Sequence, residues 1–126
     1  MSMISVSAGI IIHDGMLLIA KRRPTAVLPG GRREANETPE ACLKRELKEE
    51  FAIGVTVHES VGSYVHTYEF GTVELTAFRA DWDDGDFNSR DHEEIRWAFT
   101  HELDQFNFAP ADYAVIQRIM AGEIEI

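Results

Sequence analysis

The stretch "RELKEE", Arg45 to Glu50, sets three carboxylates, Glu46, Glu49 and Glu50, at positions i, i+3 and i+4. On a helix, where each residue turns by about 100°, they span an arc of about 100°. Leu43, Leu47 and Phe51 border that arc as an apolar stripe, so the acids stand at the rim of a packed face. Three anions so placed repel one another. A hard cation such as Mg²⁺ relieves that repulsion, because it takes carboxylate oxygens together with water and substrate phosphates. Arg45, four residues before Glu49, is spaced to hold it. Residues 45–50 alone are better explained as a solvated helix face with i,i+4 ion pairs.

The elements around this stretch must position it. Thr38 is a good N-cap and Pro39 suits a first helical position, which predicts a helix from there to about Phe51. Before it, "SVSAGIIIHDGMLLIAKRR" reads as two strands around His13-Asp14-Gly15, with Asp-Gly as the hairpin signal. "PTAVLPGGRREANE" (residues 24–37), rich in Pro, Gly and Asn, reads as loop. Residues 55–70 and 72–82 alternate as strands about a turn at Gly71. Residues 83–91 form a polar loop, 93–99 a short strand, and "APADYAVIQRIMAG" an amphipathic helix. Strands mixed with two substantial helices predict an α/β sandwich with a mixed sheet.

The 126 residues suit a single domain, 1–126, and 44% hydrophobic with 27% charged residues is an ordinary globular composition. A net charge of −10 argues against sequence-independent binding to nucleic acid, which needs a basic surface, but leaves room for a phosphorylated small molecule screened by divalent cations. No apolar run approaches the roughly 18 residues needed to cross a bilayer. The single cysteine, Cys42, excludes an intrachain disulfide and reads as a packing residue. These features fit a cytoplasmic protein without a membrane partner, as monomer or homodimer. The five histidines show no zinc-ligand spacing.

The stretch "LPGGRREANETPEACLKRELKEEFAI" resembles the signature of the Nudix hydrolases, G-x5-E-x7-R-E-U-x-E-E-x-G-U, with U a bulky aliphatic residue. Gly31, Glu37, Arg45, Glu46, Leu47, Glu49, Glu50 and Ile53 match eight of nine fixed positions over 23 residues, and Ala52 replaces the family's glycine. Gly54 is the expected substitute for a left-handed helix stop. The resemblance implies a Nudix-type α/β/α sandwich and hydrolysis of a nucleoside diphosphate linked to another group, using Mg²⁺ or Mn²⁺. It makes Glu46, Glu49, Glu50 and the Gly30 carbonyl metal ligands. Arg45 would orient the glutamates, and Glu34 and Glu37 would support the loop.

Beyond that signature, "AGIIIHDGMLLIAKR", "HEEIRW" and "FAPAD" resemble the MutT-type nucleoside triphosphate pyrophosphohydrolases, including the bacterial CTP pyrophosphohydrolases, which release a nucleoside monophosphate and pyrophosphate. In that branch Arg22 matches a phosphate-contacting arginine. Asp91 matches a loop glutamate that binds metal or handles the attacking water, with Glu93 and Glu94 as neighbouring substitutes. Asp112 matches the position that reads the base edge, and Ile4, Val6, Leu28 and Leu75 match apolar positions lining the base pocket. An ionised Asp112 only accepts hydrogen bonds, which favours an amino-bearing base such as cytosine over 8-oxoguanine. As residues alone, Arg22 is equally a surface charge, Asp112 a first-turn carboxylate, and the four apolar residues plain core. The stretch between Arg22 and "LPGG" is shorter than in that branch, and Ala26 stands where a tryptophan is usual. The alternatives are another diphosphate-linked substrate (8-oxo-dGTP, a nucleotide sugar, a dinucleoside polyphosphate, an RNA 5′ end) or a non-catalytic nucleotide-binding regulator on the same fold.

Overall fold

The computed structural model describes residues 3–22, 24–86 and 94–125, with the side chains of Arg22 and Glu94 outside that set. The order is β1 (Met3–His13), β2 (Met16–Arg22), β3 (Thr25–Val27), β4 (Gly30–Arg32), α1 (Pro39–Phe51), β5 (Gly54–Tyr68), β6 (Gly71–Asp84), β7 (Glu94–Ala98) and α2 (Pro110–Met120), with a 3-10 turn at Thr100–Gln105. Asp14 and Gly15 both take positive φ, 53° and 76°, which is the conformation a two-residue hairpin between His13 and Met16 requires.

The strands form one mixed sheet in the order β3-β2-β1-β6-β5, with β4 also on β1 and β7 on β2. β1 and β6 run parallel and the other pairings are antiparallel. Strands buried on both faces read as continuous apolar runs, and "GIII" and "LLIA" do so here. Ala8, Ile10, Leu17 and Ile19 pack with Val115, Ile116 and Ile119 of α2, while Ile11, Leu18 and Ala20 pack with Leu43, Leu47 and Phe51 of α1. One helix covers each face, giving the α/β/α sandwich.

Three local expectations are corrected. Residues 24–37 are not all loop: β3 pairs antiparallel with β2 just before it, and both β3 and β4 take further partners from distant parts of the chain. Ala26 N donates to Asn107 O at 2.8 Å, Ala109 N donates to Ala26 O at 3.0 Å, and Gly30 to Arg32 pair with Ala8 to Val6. The turn between β5 and β6 lies at Glu69-Phe70, with Gly71 already opening β6. The end of α1 falls on Ala52 itself, at φ 59°, and Gly54 does not take over that stop. Ala52 N bonds back to Lys48 O at 3.1 Å, so closure of the last turn holds the residue left-handed against its side-chain preference.

Candidate active site

The helix start and the loop before it are tied together. Thr38 caps α1, its hydroxyl accepting from Ala41 N at 3.1 Å, and the Ser7 hydroxyl donates to Pro39 O at 2.8 Å from β1. The loop folds back through Asn36, at φ 65°, so that Glu37 Oε1 accepts from Glu34 N at 2.9 Å.

Arg45 gathers the acidic residues. Its Nε donates to Glu37 Oε2 at 2.7 Å and its Nη2 to Glu37 Oε1 at 3.0 Å, a bidentate pair. Nη1 reaches Glu46 Oε1 at 3.1 Å and Glu49 Oε2 at 3.2 Å, while Nη2 also donates to Arg32 O at 3.0 Å. One guanidinium therefore joins helix, loop and β4. The Arg45 hydrogen bonds, helped by Glu34 N, hold the Glu37 carboxyl well below its ordinary value, at about 2.

Glu46 has the opposite character. Its side chain is 13% exposed, and burial pushes its pKa up, reinforced by the neighbouring Glu50 carboxylate and opposed by Arg45. Its carboxyl lies directly over Gly31, where a Cβ would collide with it. Gly30, at φ 152°, runs so close to β1 that a Cβ there would strike the Ser7 carbonyl oxygen. Cys42, fully buried beneath, donates through Sγ to Gly31 O at 3.4 Å, and burial raises its thiol pKa. The glycine pair thus lets α1 lie against β4 with its carboxylates at the cleft.

The donor chemistry suits a hard divalent cation: carboxylate oxygens, one of them half-buried beside a second, gain most from a positive charge between them. Among the described residues no group of three or more His, Cys, Asp or Glu side chains is placed to hold a metal ion, and Glu49 is turned to Arg45. Asp91 lies outside the described residues, as does Glu93. Arg22 ends β2 opposite Thr25, and nothing further is described of its side chain.

Asp112, expected from the sequence at the base edge, stands on α2 and the acids on α1. Asp112, in the first turn of α2, is 7% exposed and accepts from Leu28 N through Oδ2 at 3.0 Å. Burial raises its pKa to about 6 against the pull of that amide. It lines a pocket of about 240 Å³ together with Val6, Ala8, Val27, Leu28, Gly30, Gly31 and Arg32. Leu75, 2% exposed, lies in the core beneath. Ile4 borders a neighbouring groove with Arg32 and Arg33. Sequence spacing gave no sign of the Asp112 to Leu28 bond or of Tyr68, whose hydroxyl accepts from Ala111 N at 3.1 Å and ties the β5–β6 turn to α2. The strand periodicity placed Tyr68, and only the fold placed its partner.

Comparison with known proteins agrees with this geometry. The NUDIX domain description matches residues 3–119. The CTP pyrophosphohydrolase of Escherichia coli K12 is 32% identical over 127 residues, covering 96% of this chain and 94% of the relative. A protein named putative 8-oxo-dGTP diphosphatase 2 from Mycobacterium tuberculosis is 36% identical over 116 residues, covering 85% and 81%. The solution structure of the E. coli ORF135 protein superimposes with a TM-score of 0.83 at 33% identity, covering 98% of this chain and 92% of that one. With its signature helix, its glycine pair and its acids gathered on Arg45, this chain belongs to the NUDIX family and is a MutT-type Nudix hydrolase.

Proposed function

We propose that this hydrolase cleaves (deoxy)nucleoside triphosphates to a nucleoside monophosphate and pyrophosphate, with Mg²⁺ or Mn²⁺ as cofactor. The observation that carries the reading is the Arg45 cluster. It holds Glu46 and Glu49 on one guanidinium, with Glu46 over Gly31, and Gly31 in turn lines a pocket of about 240 Å³ that contains a buried aspartate. Glu46, Glu49, Glu50 and the Gly30 carbonyl would hold the cation, which when bound screens phosphate charge and activates water. Arg45 keeps two of the carboxylates oriented, and Glu37 keeps Arg45 in place. Arg22 and Asp91 retain their proposed roles, on the phosphates and on the attacking water. Leu28 offers an apolar wall to the base, with Leu75 packed behind.

For the base, relatives named for 8-oxo-dGTP outnumber the one named for CTP, and they support an oxidised purine nucleotide as the substrate. The buried Asp112 is compatible with it: a carboxyl with a pKa of about 6 is partly neutral near neutral pH, and the neutral form both donates and accepts as an amide does. Cytidine is the second reading, favoured by the ionised form of Asp112, which accepts from an exocyclic amine. The test is kcat/KM with Mg²⁺ on CTP, dCTP, dGTP and 8-oxo-dGTP, products identified, for the protein and for Asp112→Asn. A shift of preference toward 8-oxo-dGTP in the variant supports base reading by residue 112. Equal losses on all four would refute it. Release of neither pyrophosphate nor phosphate from any of them would favour the non-catalytic regulator. The cytoplasm, where nucleotide pools lie, is the compartment this reading implies, and no described helix is long and apolar enough to cross a membrane.

A further inference from the structure

Arg32 lines two cavities. On one side is the pocket that ends on Asp112, and on the other a groove of about 300 Å³ lined by Met3, Ile4, Ser5, Arg32, Arg33, Glu34 and Ala35. The two cavities are neighbours, with Arg32 common to both walls. Its backbone frame is fixed, since Arg32 pairs with Val6 and Arg33 N donates to Ser5 O at 2.9 Å.

Its charge is unusual for this molecule. In a chain of net charge −10, two consecutive arginines open onto this groove, both exposed, and neither guanidinium has an ion-pair partner among the described residues. Among the described lining residues the carboxylate is that of Glu34, which lies 3.6 Å from Arg45 Nε. Arginine guanidinium groups recognise a phosphate dianion through charge-assisted, bidentate hydrogen bonds.

We propose that this groove is a second anion subsite, which takes a phosphate carried on the nucleotide's sugar, outside the phosphate chain that is cleaved. It rests on the reading that the Asp112 pocket holds the base. The ligand class is a nucleotide phosphorylated at both ends of its ribose. A plain nucleoside triphosphate leaves the groove empty, and Arg33 then has no part in its turnover.

The test is calorimetric titration of the intact protein, with Mg²⁺, by a nucleoside 5′-monophosphate and the matching 3′,5′-bisphosphate, using cytidine and 8-oxodeoxyguanosine as the nucleosides. For the better-binding nucleoside, the bisphosphate is expected to bind about tenfold more tightly, the effect of one added charge-assisted contact. Arg33→Glu should remove that gain and leave the monophosphate affinity unchanged. Equal affinities for the two nucleotides, or a gain that survives in Arg33→Glu, overturns the proposal. Asp112→Asn separates it from the reading beneath it. If that variant alters monophosphate affinity while the bisphosphate gains nothing, the groove fails and the base pocket stands. If it alters neither, yet Arg33→Glu abolishes the gain, the groove stands and the base pocket fails. Failure of both nucleotides to bind rejects both.

Discussion

At the scale of single residues, adjacent glycines with different duties give the sharpest contrast. The atoms nearest a Cβ on Gly31 are the far end of the Glu46 side chain, which can swing aside, whereas one on Gly30 meets the Ser7 backbone at a φ of 152°. Gly31→Ala is therefore expected to keep its melting temperature within a few degrees while losing about 10–100-fold in metal affinity or activity, the range seen when a ligand's support is disturbed. Gly30→Ala should lower the melting temperature itself, and the reverse order would contradict this placement. Asp112 makes a second prediction. Its pKa rises to about 6 from 3.8, so the fold prefers the neutral carboxyl. That preference is harmless below about pH 4, where the unfolded chain is protonated too. It becomes a penalty as pH climbs through 6, reaching about 3 kcal/mol by linkage. Asp112→Asn keeps an acceptor for Leu28 N and carries no charge. Denaturant unfolding should therefore show the variant about as stable as the parent near pH 4 and more stable above pH 6. A difference that is flat with pH would exclude this cause.

At the scale of elements, α1 was legible because its signals are local: a Thr38 cap, Pro39, an apolar stripe and an acidic one. Its end was not. A left-handed stop at an alanine is disfavoured by its own side chain, and here the hydrogen bond from Ala52 N to Lys48 O and the packing of Ile53 override that preference. Ala52→Gly is expected to raise stability by about 0.5–1 kcal/mol, since glycine takes φ 59° without that cost, and thermal or denaturant melting will show it. No gain would mean that Ala52 is not left-handed in solution. β3 and β4 escaped the sequence for another reason. They are three-residue strands rich in glycine and proline neighbours, and apart from the pairing of β3 with β2 their partners lie in β1 and around residues 107–109. Nothing within residues 24–37 encodes those partners.

Across the whole molecule, the family and the sandwich were legible because they rest on periodicity and on a signature of fixed spacing. The spacing of the α1 acids was legible, and the geometry that gathers them on Arg45 was not. Spacing placed Glu49 with Glu46 and Glu50, yet one guanidinium turns it toward Arg45 and binds it to the same hub as Glu37, eight residues upstream of Arg45. The substrate was less legible still, because the pocket draws Val6, the Leu28–Gly30 stretch and Asp112 from three distant parts of the chain. The central claim is that the α1 carboxylates make this fold a metal-dependent hydrolase. The most direct measurement is pyrophosphate release from a nucleoside triphosphate with Mg²⁺, by the parent and by Glu49→Gln at matched folded concentration. The account predicts Mg²⁺-dependent turnover in the parent and a loss of about 100-fold or more in kcat for the variant, in the range for removing a group that stabilises transition-state charge. Full activity in Glu49→Gln, or turnover that persists undiminished with chelator in place of Mg²⁺, would contradict it.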